Sequence, residues 1–192
     1  MSSEMNIKID GKTGENYMKQ NFICFGYKEM TYNEFLENPN IKGLYFIDVR
    51  EIKEYQKQDV DFLLINQEGK ICRFELKTDT RMAGTGNIYL EDKIERELNV
   101  FTDGWYHLCQ ADILSFLDGN NDKYYYYCFN WKKLKQFVTD NNYISKRDEN
   151  KYDGGWIHGY KIPLKDIINN ADITVFKGVL NFSKNGGYKN GN

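Results

Sequence analysis

Two acids and a lysine in neighbouring hydrophobic stretches are the residues of this chain best suited to chemistry. Asp61 directly precedes the apolar run 62–65, and Glu75 and Lys77 lie within the run 71–77. Mg²⁺ is usually held by one or two carboxylates together with waters and substrate phosphate. An ammonium group beside a metal-bound water can orient that water and stabilise charge that builds on phosphorus. These residue types are therefore what hydrolysis of a phosphodiester requires.

The turn between the two runs determines whether these side chains meet. Residues 67–69 form a three-residue loop with glycine at the position that needs a positive φ. Counting outward from this loop predicts that Asp61 lies opposite Glu75 and that Asp59 lies opposite Lys77. Opposed residues on antiparallel strands have Cβ atoms about 4.5–5.5 Å apart, and like charges at that distance are destabilising unless a cation lies between them. The hairpin thus predicts a divalent metal site, with the lysine on the same face.

This pattern resembles that of the PD-(D/E)XK nuclease family. Asp61 is followed, after 13 intervening residues, by Glu75, Leu76 and Lys77, and Val60 stands where the family name has proline. The resemblance implies that Asp61 and Glu75 bind Mg²⁺, for which Mn²⁺ can substitute, that the Leu76 carbonyl adds a ligand and that Lys77 is catalytic. It also implies DNA as the substrate, with RNA not excluded, and it leaves a homodimer open because many such nucleases dimerise.

Three further acids are candidate auxiliary residues. Asp59 is interpreted either as the partner that positions Lys77 or as a third acid of the site. Glu91 ends a later apolar run and could approach the metal through water. Nucleases of this kind often carry an acid on an N-terminal helix, where Glu34 stands, but a capping box with Thr31 explains Glu34 better.

A basic segment is the candidate DNA-binding face. Residues 123–147 carry six basic side chains against one acid, with aromatic residues between them. Lys132, Lys133 and Lys135 are the candidates for phosphate contact, and Arg81 in the loop after the second strand is another. The alternatives are a solvated helix face for the lysines and, favoured for Arg81, a solvated loop side chain. The net charge of −2 does not meet the basic character expected of a DNA-binding protein, so the distribution of charge must decide.

Hydrophobic periodicity predicts the elements that position these residues. The predicted strands are 44–50, 60–65, 71–77, 88–91, 124–129 and 157–162, with 111–117 either a strand or a buried helix. The predicted helices are 32–37, 131–137 and 163–169. The segment 92–104 is predicted to be a charged connection that ends in a turn. We expect an α/β protein with a restriction-endonuclease-like central mixed β-sheet of four or five strands, flanked by helices on both faces, with the acid-bearing hairpin at its centre and its acids opening into a cleft.

Length and composition predict one domain. The 192 residues suit a single nuclease domain over 1–182, with a flexible N-terminal lead-in over 1–15 and a mobile C-terminal tail over 183–192. No stretch of 18 apolar residues and no N-terminal apolar segment is present, so we expect a cytoplasmic protein without a membrane partner. The four cysteines form no CxxC pair, which argues against a structural zinc site, and two histidines are too few for a histidine-dependent nuclease.

The function predicted from these residues is Mg²⁺-dependent hydrolysis of DNA phosphodiester bonds by an endonuclease or exonuclease. The alternative is a catalytically inactive nucleic-acid-binding or protein-interaction module on the same scaffold. Salt-sensitive DNA binding without metal binding would favour the nucleic-acid-binding module, since phosphate contacts depend on salt. Absence of DNA binding at low salt would favour the protein-interaction module.

Overall fold

A computed structural model describes residues 11–79, 81–118, 123–152 and 155–181. Within these residues the chain forms seven helices: α1 Gly11–Cys24, α2 Tyr32–Glu37, α3 Lys53–Gln56, α4 Met82–Thr85, α5 Trp105–Leu108, α6 Trp131–Asp140 and α7 Leu164–Ile167. The same stretches hold eleven strands: β1 Lys28–Glu29, β2 Tyr45–Asp48, β3 Phe62–Ile65, β4 Ile71–Thr78, β5 Asn87–Glu97, β6 Val100–Asp103, β7 Ile113–Asp118, β8 Lys123–Asn130, β9 Lys146–Tyr152, β10 Gly155–Pro163 and β11 Thr174–Asn181. The predicted α/β class is confirmed.

The larger of two sheets is mixed and has the acid-bearing hairpin at its centre. Among the described strands its order is β1-β2-β3-β4-β7-β8-β11. Strand β4 pairs antiparallel with β3 and parallel with β7, and three strands lie on each side of it. The central position of the hairpin is therefore as predicted. The expected four or five strands are too few, because the short β1 and the C-terminal β11, neither of which was predicted, extend the sheet at its two edges.

The register of the β3–β4 hairpin follows the predicted count. Phe62 pairs with Phe74 and Ile65 with Ile71. Gly69 has a φ of 83°, which glycine adopts without steric strain. Asn66 stabilises the turn, since its carboxamide oxygen accepts the Glu68 and Lys70 N–H groups and its own N–H donates to the Lys70 carbonyl. Loop length and glycine position were thus sufficient to set the pairing of these two strands.

Side-chain alternation along β4 separates an apolar face from the face that carries the acids. Phe74 and Leu76 are buried and pack with Met18 and Phe22 of α1. On the opposite face, Glu75 pairs with Leu114 and Lys77 with Phe116, two β7 residues that belong to the core beneath α5 and α6. Helices therefore cover both faces, as predicted.

Helix α1 replaces part of the predicted lead-in. Residues 11–15 begin α1, and Gly14 is buried within it, whereas residues 1–10 and the predicted tail 183–192 lie outside the described residues. Two glycines in the first turn weaken local helix propensity. The helix is stabilised by its packing on the sheet through Met18 and Phe22, a contact that no local pattern announces.

The smaller sheet lies where a charged connection was predicted. Its order is β6-β5-β10-β9 in the described part of the chain. The predicted strand 88–91 is the first half of β5, and residues 92–104 hold its second half and β6, with Asn99 at a φ of 65° in the turn. The prediction of a connection was wrong because these strands are half exposed, which allows charged residues to alternate with apolar ones.

The helices α2, α6 and α7 follow their sequence patterns more closely, whereas the one-turn helices α3, α4 and α5 were not predicted. Helix α2 has the predicted capping box, and α6 buries Trp131, Leu134 and Val138 at helical spacing. Helix α7 is shorter than predicted and has Pro163 as its N-cap. Every helix within the described ranges is too short or too polar to cross a lipid bilayer.

Candidate active site

The predicted triad converges around the Lys77 ammonium group. Its Nζ atom lies 2.6 Å from Glu75 Oε1 and 2.8 Å from Asp59 Oδ2. The Asp61 carboxylate accepts the Leu76 N–H through Oδ2 at 2.9 Å, and the Asp61 N–H donates to the Phe74 carbonyl at 3.0 Å. These two bonds reach the residues on either side of Glu75. Asp61 therefore lies across from Glu75, although the regular pairing of β3 with β4 ends at the adjacent pair, Phe62 and Phe74.

Glu75 is the most deeply buried acid of the cluster. Its side chain is 4% exposed, and its Oε2 atom receives no hydrogen bond from any group in the described residues. Burial, which is the largest effect, and the charges of Asp61 and Asp59 together raise the pKa of Glu75 to about 9 against the opposing effect of Lys77. Burial and the neighbouring acids thus favour the protonated form of Glu75, whereas the Lys77 ammonium group favours its charged form.

Asp61 is strongly perturbed in the same direction. Burial raises its pKa to about 6, and the charge of Glu15 raises it further. Hydrogen bonds with the Leu76 N–H and the Glu75 side chain, and the charge of Lys77, act in the opposite direction. Two neighbouring acids with raised pKa values attract a cation or a proton, and such groups are concentrated at functional sites.

Lys77 is charged in this environment. Burial alone would lower its pKa, but the charges of Glu75 and Asp59 and their hydrogen bonds raise it above the ordinary value for lysine. The ammonium group also lies 4.9 Å from the centre of the Trp105 ring, and the side chain is 23% exposed. Lys77 is therefore fixed as a hydrogen-bond donor and positive charge at the edge of the acid pair.

Two acids from other elements border this cluster, and only one of them was predicted. Glu91 on β5 accepts a hydrogen bond from the Trp105 N–H, and the charges of Lys77 and Asp59 both act on its pKa, which burial raises. The structure thus brings Glu91 to the cluster. Glu15 on α1 was missed, because its segment was assigned to the lead-in. The spacing of Met18 and Phe22, four residues apart, is the one sequence feature that could have placed a helix there.

Arg50 anchors Glu15 on the α1 side of the site. Its guanidinium forms an ion pair with Glu15 and donates to Asp48 through Nε at 2.8 Å. Lys19 also pairs with Asp48, at 3.3 Å. These contacts connect α1 to the end of β2 and hold a second layer of charge beside Asp61.

Two of the predicted residues have their polar contacts elsewhere. The Glu34 carboxylate accepts the Thr31 N–H at 2.8 Å and the Thr31 hydroxyl at 2.7 Å, which closes the capping box of α2. Arg81 lies 3.4 Å from Asp148 and its guanidinium packs over the Tyr89 ring. The structure therefore supports the capping interpretation of Glu34, and it ties Arg81 to the smaller sheet.

The three predicted lysines of α6 do not share one environment. Lys132 and Lys135 line a groove beside the start of β4, whereas Lys133 is exposed and does not line it. Leu76 is also placed: its side chain is buried against α1 and its N–H holds Asp61, while the role of its carbonyl group stays a prediction.

The residues of the cluster fit a hard divalent cation. No three Asp, Glu, His or Cys side chains of the described residues converge closely enough to hold an ion by themselves. Mg²⁺ does not need such a group, because one or two carboxylates with waters and phosphate oxygens complete its coordination. The Asp61–Glu75 pair supplies this oxygen chemistry, and the buried Oε2 atom of Glu75 has no other partner among the described groups.

Comparisons with protein-family models, with curated proteins and with solved structures give no match to this chain. A function must therefore be inferred from the residues and from their geometry.

Proposed function

We propose that this chain is a metal-dependent nuclease that hydrolyses DNA phosphodiester bonds at Asp61, Glu75 and Lys77. The observation that carries the proposal is the burial of Glu75, with one oxygen bonded to Lys77 and the other without a donor among the described groups. A carboxyl group buried beside two other acids weakens the fold, because burial and like charges disfavour its charged form. A cation between Asp61 and Glu75 would offset this cost and would explain why the two acids are buried side by side.

In this proposal each side chain has a separate task. Asp61 and Glu75 hold Mg²⁺, for which Mn²⁺ can substitute. A metal held there would supply an activated water and would polarise the phosphate. Lys77 orients the attacking water and stabilises negative charge that develops on the phosphate oxygens. Asp59 positions Lys77, and Glu91 contributes negative charge beside both.

The fold supports the same family assignment. A central mixed sheet, helices on both faces and the acid-bearing hairpin at the middle strand agree with a restriction-endonuclease-like protein. DNA is the proposed substrate, with RNA as a second polymer of the same backbone chemistry to be tested beside it. Lys77 and Asp59 are 23% and 27% exposed, so solvent reaches the cluster on this side.

Purified protein, Mg²⁺ or Mn²⁺ and a panel of linear, nicked, single-stranded and branched DNA test the proposal. Lys77→Ala should lower kcat at least about a hundredfold, the usual range for loss of a proton-transfer or charge-stabilising group. Asp61→Asn should abolish metal-dependent cleavage. Lys28→Ala, an exposed lysine on β1, is the matched control and should cleave as the parent protein does.

Circular dichroism melts establish that each variant is folded. Unchanged cleavage by folded Lys77→Ala would remove Lys77 from the mechanism. Absence of cleavage by the parent protein with either metal, together with no effect of Mg²⁺ on its unfolding temperature, would overturn the proposal.

A further inference from the structure

A groove with a volume of about 1170 Å³ lies at the end of the large sheet where β4 and β7 begin and β8 ends. One wall is the start of β4, residues 70–73, and the other is the exposed side of α6. Tyr106 and Trp131 form part of its lining between the walls. This groove is distinct from the acid cluster, and the sequence pattern predicts a binding role for two of its lining residues, Lys132 and Lys135.

The groove is basic although the chain as a whole is not. Four cationic side chains and a single carboxylate line it, whereas the chain carries a net charge of −2. The carboxylate, Asp112, is paired with Arg73 at 3.1 Å. In the described part of the chain, the other three cations, Lys70, Lys132 and Lys135, have no carboxylate oxygen within 4 Å of their Nζ atoms. A concave surface of this kind attracts a polyanion.

The helical repeat of α6 explains why two of its lysines face the groove and one does not. Trp131, Leu134 and Val138 are buried, and the lining positions of α6 are 132, 135, 136 and 139, which recur at helical spacing. Lys133 falls outside that stripe. Lys135 lies 4.7 Å from the centre of the Trp131 ring and 5.3 Å from that of Tyr106, which holds its ammonium group over the aromatic lining.

The groove leads directly to the acid cluster. Arg73 lies two residues before Glu75 on the same face of β4. Tyr106 follows Trp105, whose ring contacts Lys77. On the far side, the Trp131 indole donates to the Cys109 carbonyl at 3.1 Å, while the Cys109 thiol donates to the Asp59 carbonyl at 3.5 Å. A chain of contacts therefore connects the groove lining to the residue that holds Lys77.

We propose that this groove binds one strand of a polynucleotide and guides its backbone to Asp61 and Glu75; the identity of the ligand rests on the proposed nuclease function. The cations lie on two walls that face a single concave space, which suits one phosphate backbone running between them. A duplex, whose two backbones are held apart by the base pairs, would need cations spread over a wider surface. The amide side chain of Gln110, which also lines the groove, is suited to sugars and base edges.

Binding of a fluorescently labelled single-stranded oligonucleotide in EDTA, followed by anisotropy, tests the groove without catalysis. The double variant Lys132→Gln/Lys135→Gln should bind at least tenfold more weakly. The slope of log Kd against log salt concentration should fall by about 1.4 in this variant, because each phosphate contact to a single strand contributes about 0.7 to the slope. Lys133→Gln removes the same charge from the same helix outside the groove and should weaken binding no more than about twofold.

Three outcomes of the binding measurements would overturn the proposal. They are an equal loss in the Lys133 variant, tighter binding of a blunt duplex of the same sequence than of the single strand, and equal competition by polyglutamate. The last would indicate a general anion surface. If the double variant itself fails to fold, each single substitution provides half of the expected change in slope.

Steady-state cleavage separates this inference from the proposed function. The groove variant should raise KM for single-stranded DNA about tenfold and leave kcat unchanged, whereas Lys77→Ala should lower kcat and leave DNA affinity intact. Loss of both parameters together in the groove variant would count against a pure binding role. Groove-dependent binding by a protein that never cleaves would leave the groove standing and remove the nuclease assignment.

Discussion

Arg73 and Lys77 lie on the same face of β4 and each forms an ion pair with an acid, but the pKa values of the two acids shift in opposite directions. Arg73 pairs with Asp112 near the start of the strand, where the side chains are 39% and 46% exposed. Lys77 pairs with Glu75, where the side chains are 23% and 4% exposed. Hydrogen bonds and charge from Arg73 hold the pKa of Asp112 below its ordinary value, despite partial burial. The cation beside Glu75 does not achieve this, because burial outweighs it and the pKa of Glu75 rises to about 9.

The difference indicates that burial and neighbouring acids, and not only the presence of a cationic partner, set the pKa of an acid here. An exposed ion pair contributes little to stability, since water can replace either partner. A buried acid beside a cation can still remain protonated when other acids are close. We therefore expect substitutions at the Arg73 end of the strand to change the free energy of unfolding little. Burial of charged groups at the Lys77 end lowers stability, and in our proposal these groups serve the chemistry.

Replacement of Glu75 should have the largest effect and should act in opposite directions on stability and activity. In the folded protein Glu75 keeps its proton to about pH 9, while in the unfolded chain it ionises near its ordinary value of 4.5. Its stabilising contribution is therefore full below about pH 4.5 and is lost as the pH rises toward 9. Glu75→Gln, which removes the charge, should stabilise the metal-free protein at pH 8 by about 1–2 kcal/mol, or roughly 2–8 °C, and abolish cleavage.

Thermal melts in EDTA at pH 6 and pH 8 measure this effect. Glu37→Gln, an exposed glutamate on α2, is the control and should shift the unfolding temperature by no more than about 1–2 °C. Added Mg²⁺ should raise the unfolding temperature of the parent protein more at pH 8 than at pH 6, because it competes with the proton on Glu75. A Glu75→Gln variant that melts below the parent in EDTA at pH 8 would show that the burial of this acid is not the dominant cost.

Asp59 should have an intermediate effect, and its replacement decides between the two roles considered from the sequence. Its backbone has a φ of 53°, a conformation that asparagine also tolerates, so Asp59→Asn changes the charge without disturbing the turn. If Asp59 positions Lys77, the variant should lower kcat about tenfold, because Lys77 loses a charged hydrogen bond of 2.8 Å, while Mg²⁺ affinity changes less than twofold.

Metal titration followed by unfolding temperature distinguishes the roles of Asp59. A fall of more than tenfold in Mg²⁺ affinity would assign Asp59 to the metal and would leave Lys77 with one positioning partner fewer. Restoration of the pH–rate profile by Asp59→Glu, which keeps the charge, would support positioning.

The parts of this molecule that could be predicted are those in which neighbouring residues carry all the information. The 67–69 turn and the alternation of side chains fix which residues of β3 and β4 face each other, because a shift of one residue would move Phe62 and Phe74 out of the core. The cap of α2 and the apolar spacing of α6 are local in the same sense. These patterns were sufficient to predict that Asp61, Glu75 and Lys77 lie close together.

The parts that could not be predicted depend on contacts between distant segments. Helix α1 has little intrinsic preference for a helix and depends on the surface that β4 provides, so Glu15 remained hidden. The strands β5, β6 and β9 are rich in charge, which obscures their alternation, and the smaller sheet is completed by the pairing of β5 with the distant β10, which no local window shows. The burial of Glu75 is also non-local, because residue types do not reveal how much water a fold excludes. The perturbed pKa values, which are central to the functional argument, came only from the structure.

The Arg73–Asp112 pair should show the smallest effect, with an asymmetry between its two partners. Arg73→Gln removes an exposed ion pair and should cost about 0–1 kcal/mol. Asp112→Ala should cost about 1 kcal/mol more, because Asp112 Oδ2 also accepts the Arg73 backbone N–H at 2.8 Å where β4 and β7 begin, and that donor would lose its partner. Urea unfolding of both variants measures the difference. If Arg73→Gln lowered stability more than Asp112→Ala, the guanidinium would contribute more than the hydrogen bond from the Arg73 backbone N–H. Solvent exposure would then no longer explain the contrast between the two ends of β4.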